Sequence, residues 1–231
     1  MDSHVAYYKR WAETWEFQAL LKARPMTGDI ELGREYIDAL APMVWTASQR
    51  ESFVDDVQRM RARVVQNVPE ELRYRELKLG RGGLRDVEFA VQLLQLVHGR
   101  YDDSLRVLPT VMALDALVEA GYIGREDGAA LINAYEFVRL LEHRLQLQKM
   151  RRTHLLPADD DTEALQWLGR ASGIVGEGGT DASKPLAKQV RLASSQIRSL
   201  HNKLFYRPLL NSVVEQDIGT LQLSADAAKR Q

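Results

Sequence analysis

The 231-residue sequence predicts an all-α fold, a bundle of several helices with long central members and little or no sheet. Apolar residues recur at the three- and four-residue spacing of a helix through most of the chain. Prolines and glycines fall where these periodic segments stop, which is typical of helix ends. The alternation at residues 221–223 is too short to indicate a strand.

The first helix is expected over residues 4–24, where Pro25 ends a run of apolar residues at helical spacing. Trp11 and Trp15 lie one turn apart within it. Aromatic side chains at this spacing usually fill cores, so we interpret the pair as a buried packing ridge.

Two more helices precede the middle of the chain. One is expected over residues 30–40 and is broken near Pro42. The other covers residues 49–67 and ends before Pro69. Its predicted buried stripe consists of Phe53, Val57, Met60, Val64 and Val68.

A basic, glycine-rich turn leads into the central helix, which is expected over residues 84–98. The turn and the start of the helix hold Lys78, Gly80, Arg81, Gly82, Gly83 and Arg85. Glycines let a loop adopt positive φ and bring its N–H groups close to a ligand. Positive charge at a helix N-terminus favours phosphate, so an anion is the natural ligand for this turn.

The central helix is mostly apolar and carries one narrow polar strip. This strip consists of Arg85, Glu88, Gln92 and Gln95. Their spacing puts all four on one face, which is typical of a bundle helix that shows a polar seam to a cleft. The same residues also fit a structural turn with solvated basic groups, in which Glu88 pairs with Arg85.

Two helices follow a loop over residues 99–108. The first begins at Pro109 and ends at residue 120 with Gly121 as its C-cap. The second, over residues 126–151, is the longest, and its predicted polar line consists of Glu136, Arg139, His143 and Gln146. This line and the strip of the central helix could face each other across a cleft. We interpret His143 as a structural hydrogen-bonding residue, because no second histidine has metal-ligand spacing from it.

The last third of the chain begins with an acidic turn. Asp159 and Asp161 have the D-x-D spacing by which nucleotidyltransferases hold Mg²⁺. They follow a proline and open a short helix through residue 172, so helix capping is the better interpretation.

A flexible connector is expected over residues 173–183, before a last helix over residues 185–206. The apolar stripe of this helix consists of Leu186, Val190, Ala193, Ile197, Leu200 and Leu204. Residues 209–231 lose the helical pattern and are expected to form a loosely packed or partly disordered tail.

Composition excludes several classes of protein. The absence of cysteine excludes a disulfide framework and a cysteine-based zinc site. No apolar run approaches the ~20 residues that span a bilayer, and the pattern of a signal peptide is missing. We therefore expect a soluble, cytoplasmic protein that binds no membrane.

Charge is uneven along the chain, although its net value is −1. The basic residues between 59 and 85 outnumber the acidic ones. Arg59, Arg61 and Arg63 fall on the sides of their helix, where a solvated face is the default and a phosphate or acidic partner is the alternative. A nucleic-acid-binding bundle would use this stretch but fits neither the net charge nor the apolar central helix.

The glycine turn carries a resemblance to a known family. Residues 78–89 read Lys-Leu-Gly-Arg-Gly-Gly-Leu-Arg-Asp-Val-Glu-Phe. They resemble the K-x-G-x-G-G-[IL]-R-[DE]-[IV]-E-F block of bacterial glutamine synthetase adenylyltransferase/adenylyl-removing enzymes. Residues 11–24, followed by Gly28 and Asp29, are similar to the segment that closes the nucleotidyltransferase domain of that family.

The resemblance implies three parts of the chain. Residues 1–70 would be the helical end of a nucleotidyltransferase domain. Residues 71–208 would be the helical bundle domain that follows it, and residues 209–231 would be a tail or linker.

The resemblance also implies an activity for the complete enzyme. One copy of the family's unit attaches AMP from ATP to a tyrosine of glutamine synthetase, and the other removes it with phosphate and yields ADP. This sequence is closer to the removing copy. Mg²⁺ and ATP or ADP are the implied cofactors, and glutamine synthetase, the rest of the parent enzyme and the PII signalling protein are the implied partners.

The resemblance assigns candidate roles to individual residues. Contacts with phosphate or nucleotide would be made by Lys78, Gly80, Arg81, Gly82, Gly83 and Arg85, supported by Asp86, Glu88 and Gln92. The family's Gly-Ser turn and strand-borne D-x-D are missing from the sequence, so we expect no catalytic residue, no metal site and no activity in this chain alone. A non-catalytic module that docks glutamine synthetase or PII is the competing hypothesis.

Overall fold

The computed structural model describes residues 1–176, 179 and 181–206. Among these residues it contains nine α-helices and no strand, which confirms the predicted all-α class. The helices are α1 (Asp2–Arg10), α2 (Thr14–Leu20), α3 (Ile30–Trp45), α4 (Phe53–Gln66), α5 (Leu84–His98), α6 (Thr110–Glu119), α7 (Arg125–Lys149), α8 (Thr162–Ala171) and α9 (Ser183–His201), and a π-helical turn (Asn202–Tyr206) continues α9.

Helix α5 is the centre of the fold, with 12 of its 15 residues buried. One side of α5 joins a core built with α6, α7, α8 and α9. The other side, through Phe89, Leu93 and Leu96, packs in a second core with residues of α2, α3 and α4. A helix that is apolar on two sides can serve two cores at once, as its sequence indicated.

The single helix predicted over residues 4–24 is wrong, because the chain breaks between α1 and α2. Glu13 and Glu16 form a capping box, in which the Glu13 N–H donates to Glu16 Oε1 at 2.9 Å and starts a new helix. The break changes the rotational phase of the chain. Trp11 and Trp15 are 72% and 48% exposed, so the predicted packing ridge is also wrong.

The break predicted near Pro42 is wrong as well, because α3 continues through it to Trp45. Proline removes one backbone donor, but burial of Leu40 and Val44 on either side of it stabilises the helix by packing. The next helix, α4, begins later than predicted, after a 3₁₀ turn over Ala47–Gln49.

The second half of the chain follows the predicted order of helices. Pro109 is the N-cap of α6 rather than its first residue. The Asp161 side chain accepts a hydrogen bond from the Ala164 N–H at 3.1 Å, which confirms the capping interpretation of the acidic turn. All six residues of the predicted stripe of α9 are buried. The predicted tail over residues 209–231 lies outside the described residues.

In the described part of the chain, no helix combines the length and the apolar character needed to cross a bilayer.

Candidate anion site at the glycine turn

The glycine turn is pressed between two other parts of the chain. On one side, Leu77 N–H donates to the His154 carbonyl at 2.9 Å, beside an isolated antiparallel bridge between Glu76 and Leu155. On the other side, Gly82 faces the backbone of Ser194 in α9. Gly82 has a φ of +77°, and a Cβ added to it would lie 2.3 Å from the Ser194 carbonyl oxygen. Glycine is therefore required here for both its conformation and its size.

Several backbone N–H groups of the turn already have partners within the protein. Gly82 N–H donates to Asp86 Oδ2 at 2.5 Å, and Gly83 N–H donates to the Gly80 carbonyl at 3.2 Å. Arg85 N–H donates to the Lys78 carbonyl at 2.9 Å. These three amides are therefore not free to bind an anion in this conformation, and side chains such as that of Arg81 must contribute to the attraction.

Asp86 anchors the turn through a buried ion pair. Arg61 donates to Asp86 Oδ1 through Nε at 2.7 Å, and both side chains are 4% exposed. The same guanidinium donates to the carbonyls of Leu79 and Gly80 at 3.3 and 3.2 Å. The expectation of a solvated face is wrong for Arg61, although Arg59 and Arg63 are exposed. Arg61 thus bonds to residues on both sides of Gly82 and fixes the shape of the turn.

His201 of α9 covers the other side of Asp86. Its Nδ1 lies 2.9 Å from the Asp86 backbone oxygen, and its Nε2 lies 3.7 Å from Oδ1. Burial lowers the pKa of His201, and the negative charge of Asp86 opposes this effect only in part. His201 is therefore a neutral packing partner of the turn at neutral pH.

Lys78 and Arg85 belong to a cluster of charges between α5 and α7. This α5–α7 ion cluster consists of Lys78, Arg85, Glu88, Arg139 and Glu142. Lys78 Nζ lies 3.1 Å from Glu142, and Arg139 lies 2.6 Å from Glu142 and 2.5 Å from Glu88. Arg85 closes the cluster at 2.8 Å from Glu88. Three cations and two carboxylates leave it with one excess positive charge.

Burial alone would raise the pKa of Glu142. Hydrogen bonds from Lys78 and Arg139 outweigh burial and hold this pKa below its ordinary value. Glu142 is therefore ionised at neutral pH.

The polar seam of α7 differs from the predicted one. Glu136 and His143 are exposed, and of the predicted line only Arg139 joins the α5–α7 ion cluster. The face that meets α5 carries Tyr135, Arg139 and Glu142 instead. Its rotation is set by the apolar residues of α7 that enter the core, such as Val138 and Leu141.

Gln92 and Gln95, in the C-terminal half of the α5 strip, are buried against other parts of the protein. The prediction that this part of the strip faces a cleft is therefore wrong. Gln92 accepts a hydrogen bond from Gln18 Nε2 of α2 at 2.8 Å. Gln95 donates to the carbonyls of Leu105 and Val107 at 2.7 and 2.9 Å. Gln92 thus links α2 to α5 and does not reach the glycine turn.

Arg81 is the predicted site residue that faces open space. Its side chain is exposed and lines a cleft of about 500 Å³ beside the turn, together with residues of α4 and α9. Of the predicted residues, the turn thus brings together Gly80, Arg81, Gly82, Gly83 and Asp86, while Lys78, Arg85 and Glu88 lie in the ion cluster. One pattern could have indicated the missed Arg61, since this residue follows Phe53 and Val57 at the four-residue spacing of the buried stripe.

The chain is similar to known proteins along its whole length. A family model described as GlnD PII-uridylyltransferase matches residues 58–205, and one described as Glutamate-ammonia ligase adenylyltransferase matches residues 1–39. Bifunctional glutamine synthetase adenylyltransferase/adenylyl-removing enzymes of Corynebacterium efficiens and Corynebacterium glutamicum are 66% and 67% identical to it over 231 residues. The enzyme of that name from Nocardia farcinica is 64% identical. Each match covers 100% of this chain but only 22% or 23% of the relative, so the chain spans less than a quarter of their length.

Proposed function

The chain belongs to the family described as GlnD PII-uridylyltransferase, and we propose that it is the helical portion of a bifunctional glutamine synthetase adenylyltransferase/adenylyl-removing enzyme. The family model covers residues 58–205, and the match to a segment of these bifunctional enzymes covers the whole chain. In this role it supports the transfer of AMP to and from glutamine synthetase. The complete enzyme would use Mg²⁺ with ATP or ADP. The division at residue 70 between the end of one domain and the start of the next is part of the same proposal.

The observation that carries the proposal is the positive charge around a rigid glycine turn. Arg81 reaches open space from the turn, and the α5–α7 ion cluster beside it keeps one excess positive charge. The Arg61–Asp86 pair holds the turn in place and so fixes the backbone from which Arg81 extends. Phosphoryl chemistry depends mainly on positioning and on electrostatic stabilisation, which fixed cations provide.

We assign the segment to the half of the enzyme that removes AMP. That half consumes phosphate, a small anion that needs cationic side chains rather than a large apolar pocket. Lys78 and Arg81 would contact the phosphate groups in the complete enzyme, with Arg85 and Glu88 in support.

The test uses the complete enzyme that carries this segment. Arg81→Ala should lower the rate of AMP removal at least tenfold and leave AMP addition by the other half unchanged. Arg34→Ala is the matched control, because Arg34 is an exposed arginine paired with an exposed Glu31. Unchanged removal in Arg81→Ala would overturn the role of the turn, and selective loss of AMP addition would overturn the assignment to the removing half.

A docking module is the second candidate function, favoured by the exposed tryptophans of the N-terminal helices. Trp11 and Trp15 present aromatic surface to solvent, and aromatic residues are enriched in protein interfaces. The partner would be glutamine synthetase or PII. In pull-downs with each partner, the Trp11→Ala variant should no longer be captured, whereas the Arg81→Ala variant should be captured like the wild type. Equal capture of the two variants would contradict docking through this surface.

A further inference from the structure

We propose that the cleft beside the glycine turn is a phosphate-binding site formed mainly by Arg73, Arg81 and Arg198. We call it the arginine cleft. Only Arg81 among these residues was a candidate from the sequence. The role of the ligand in the complete enzyme rests on the proposed function, whereas binding to this chain does not.

The arginine cleft lies where three parts of the chain meet. Its walls come from the last turns of α4, from Arg73 at the end of the 3₁₀ turn Glu70–Leu72, from Arg81 in the glycine turn, and from the end of α9 with Arg198. Its volume of about 500 Å³ falls within the range of small-molecule sites. The close approach of Gly82 to Ser194 brings α9 against the turn, so the cleft is formed by the packing of the folded chain.

Positive charge in the arginine cleft is not compensated by the protein. Arg61 and Asp86 also line it, but they neutralise each other. Arg73, Arg81 and Arg198 form no ion pair with any residue that the structure describes. Within the described residues, the one hydrogen bond that the Arg73 side chain donates goes to the Val68 carbonyl, at 3.3 Å. Three guanidinium groups therefore share one cleft without a carboxylate of their own.

Such an arrangement is unfavourable without an anion and favourable with one. Like charges around one cleft repel each other, and this repulsion is relieved when a ligand brings negative charge. Guanidinium groups present planar pairs of donors that match phosphate oxygens. The buried Arg61–Asp86 pair forms a fixed floor, so the ligand meets a preorganised surface.

The cleft selects for phosphate rather than for a nucleobase. Among the residues that line it, Ala62 and Val65 provide small apolar surface. The one ring in this lining, the imidazole of His201, is buried and already stacked on Phe205, so it does not offer a face to a base. Inorganic phosphate and the terminal phosphates of ADP share the recognised chemistry. ADP also carries adenosine, so a comparison of the two affinities shows whether the adenosine part contributes to binding.

The experiment is calorimetric titration of the 231-residue chain at low salt with phosphate, ADP and adenosine. Phosphate and ADP should bind without Mg²⁺, and adenosine should not bind. Equal affinity for phosphate and ADP would identify free phosphate as the ligand, and tighter binding of ADP would identify a nucleotide; both results support the site. Absence of binding by both anions, or binding of adenosine, would overturn it.

Matched arginine variants locate the binding. Arg198→Ala and Arg73→Ala should each weaken phosphate binding at least tenfold, while the exposed Arg34→Ala should leave it unchanged. Arg73 and Arg198 are exposed, so neither change should unfold the chain, and thermal unfolding checks this. Phosphate should raise the melting temperature of the wild type and of Arg34→Ala but not of Arg198→Ala. Equal affinity in wild type and Arg198→Ala would overturn the proposal, whatever the effect of Arg81→Ala on the activity of the complete enzyme.

Discussion

The guanidinium of Arg61 lies 2.5 Å from the carboxylate of Asp86, and each side chain is only 4% exposed. An ion pair this deeply buried is costly to break, because the remaining charge has no access to water. We expect Arg61→Met to lower the free energy of unfolding by about 3–5 kcal/mol. Urea unfolding measures this, and Arg34→Met, at an exposed pair, should cost less than about 1 kcal/mol. Equal losses in the two variants would contradict the buried role of Arg61.

Gly82 and Gly121 provide a matched test of the close contact between the turn and α9. Both have positive φ, +77° and +80°, so alanine carries the same backbone cost of about 1–2 kcal/mol at each. Only at Gly82 would the new Cβ collide with a backbone oxygen, since nothing lies within 4 Å of a Cβ at Gly121. Gly82→Ala should therefore be less stable than Gly121→Ala by about 1–3 kcal/mol. Similar melting temperatures for the two variants would show that the turn can move away from α9.

Glu142 makes the stability of the fold depend on pH, with a loss of stability in acid. Its pKa is lower in the folded than in the unfolded chain, so the unfolded state binds more protons as the pH falls. The stabilisation is complete above the ordinary glutamate pKa of about 4.5 and is lost as the pH drops through the lowered value. Glu142→Gln should cost about 3 kcal/mol at pH 7 and progressively less in acid.

Denaturant unfolding of the wild type and Glu142→Gln between pH 7 and pH 3 measures this convergence. Glu136→Gln is the control, because Glu136 is exposed on the same helix. If the difference in the free energy of unfolding between the wild type and Glu142→Gln stays constant with pH, the proposed titration of Glu142 is ruled out.

The hydrogen bond between Gln18 and Gln92 joins α2 to α5 at a buried position. Replacing one partner leaves a buried amide without its hydrogen bond, at a cost of about 1–3 kcal/mol. Replacing both with leucine removes the two amides together. We therefore expect Gln18→Leu and Gln92→Leu to destabilise the fold singly and the double variant to lose less than their sum. A double-mutant cycle from urea unfolding measures the coupling, and strict additivity would argue against this bond.

Periodicity was sufficient to predict the elements that lie deepest in the fold. The stripe of α9 repeats at three and four residues, and burial of one face is a local property of such a helix. Prediction failed where the phase of a helix changed or a helix continued through a proline. The restart at Glu13 moved Trp11 and Trp15 to the surface, and packing on both sides carried α3 through Pro42.

The buried charges could not be placed from local pattern alone. Arg61 is paired with a carboxylate 25 residues away, and Lys78 with one 64 residues away. A charged residue in an amphipathic helix is assigned to solvent unless its partner is known, and these partners meet only in the tertiary fold. The same reason explains why Arg73 and Arg198 were missed, since their side chains converge from distant segments.

Asp86 receives Arg61 from 25 residues before it and His201 from 115 residues after it, and this asymmetry suggests an order of assembly. Closing a short loop costs less entropy than closing a long one, so α4 and α5 can meet early during synthesis. The flank of α5 that faces α9 stays open until the last helix has emerged. Until then the core that α5 shares with α6, α7 and α8 lacks the buried residues of α9, such as Leu186 and Ile197, and a nascent chain halted before Ser183 would be prone to aggregate through this uncovered surface.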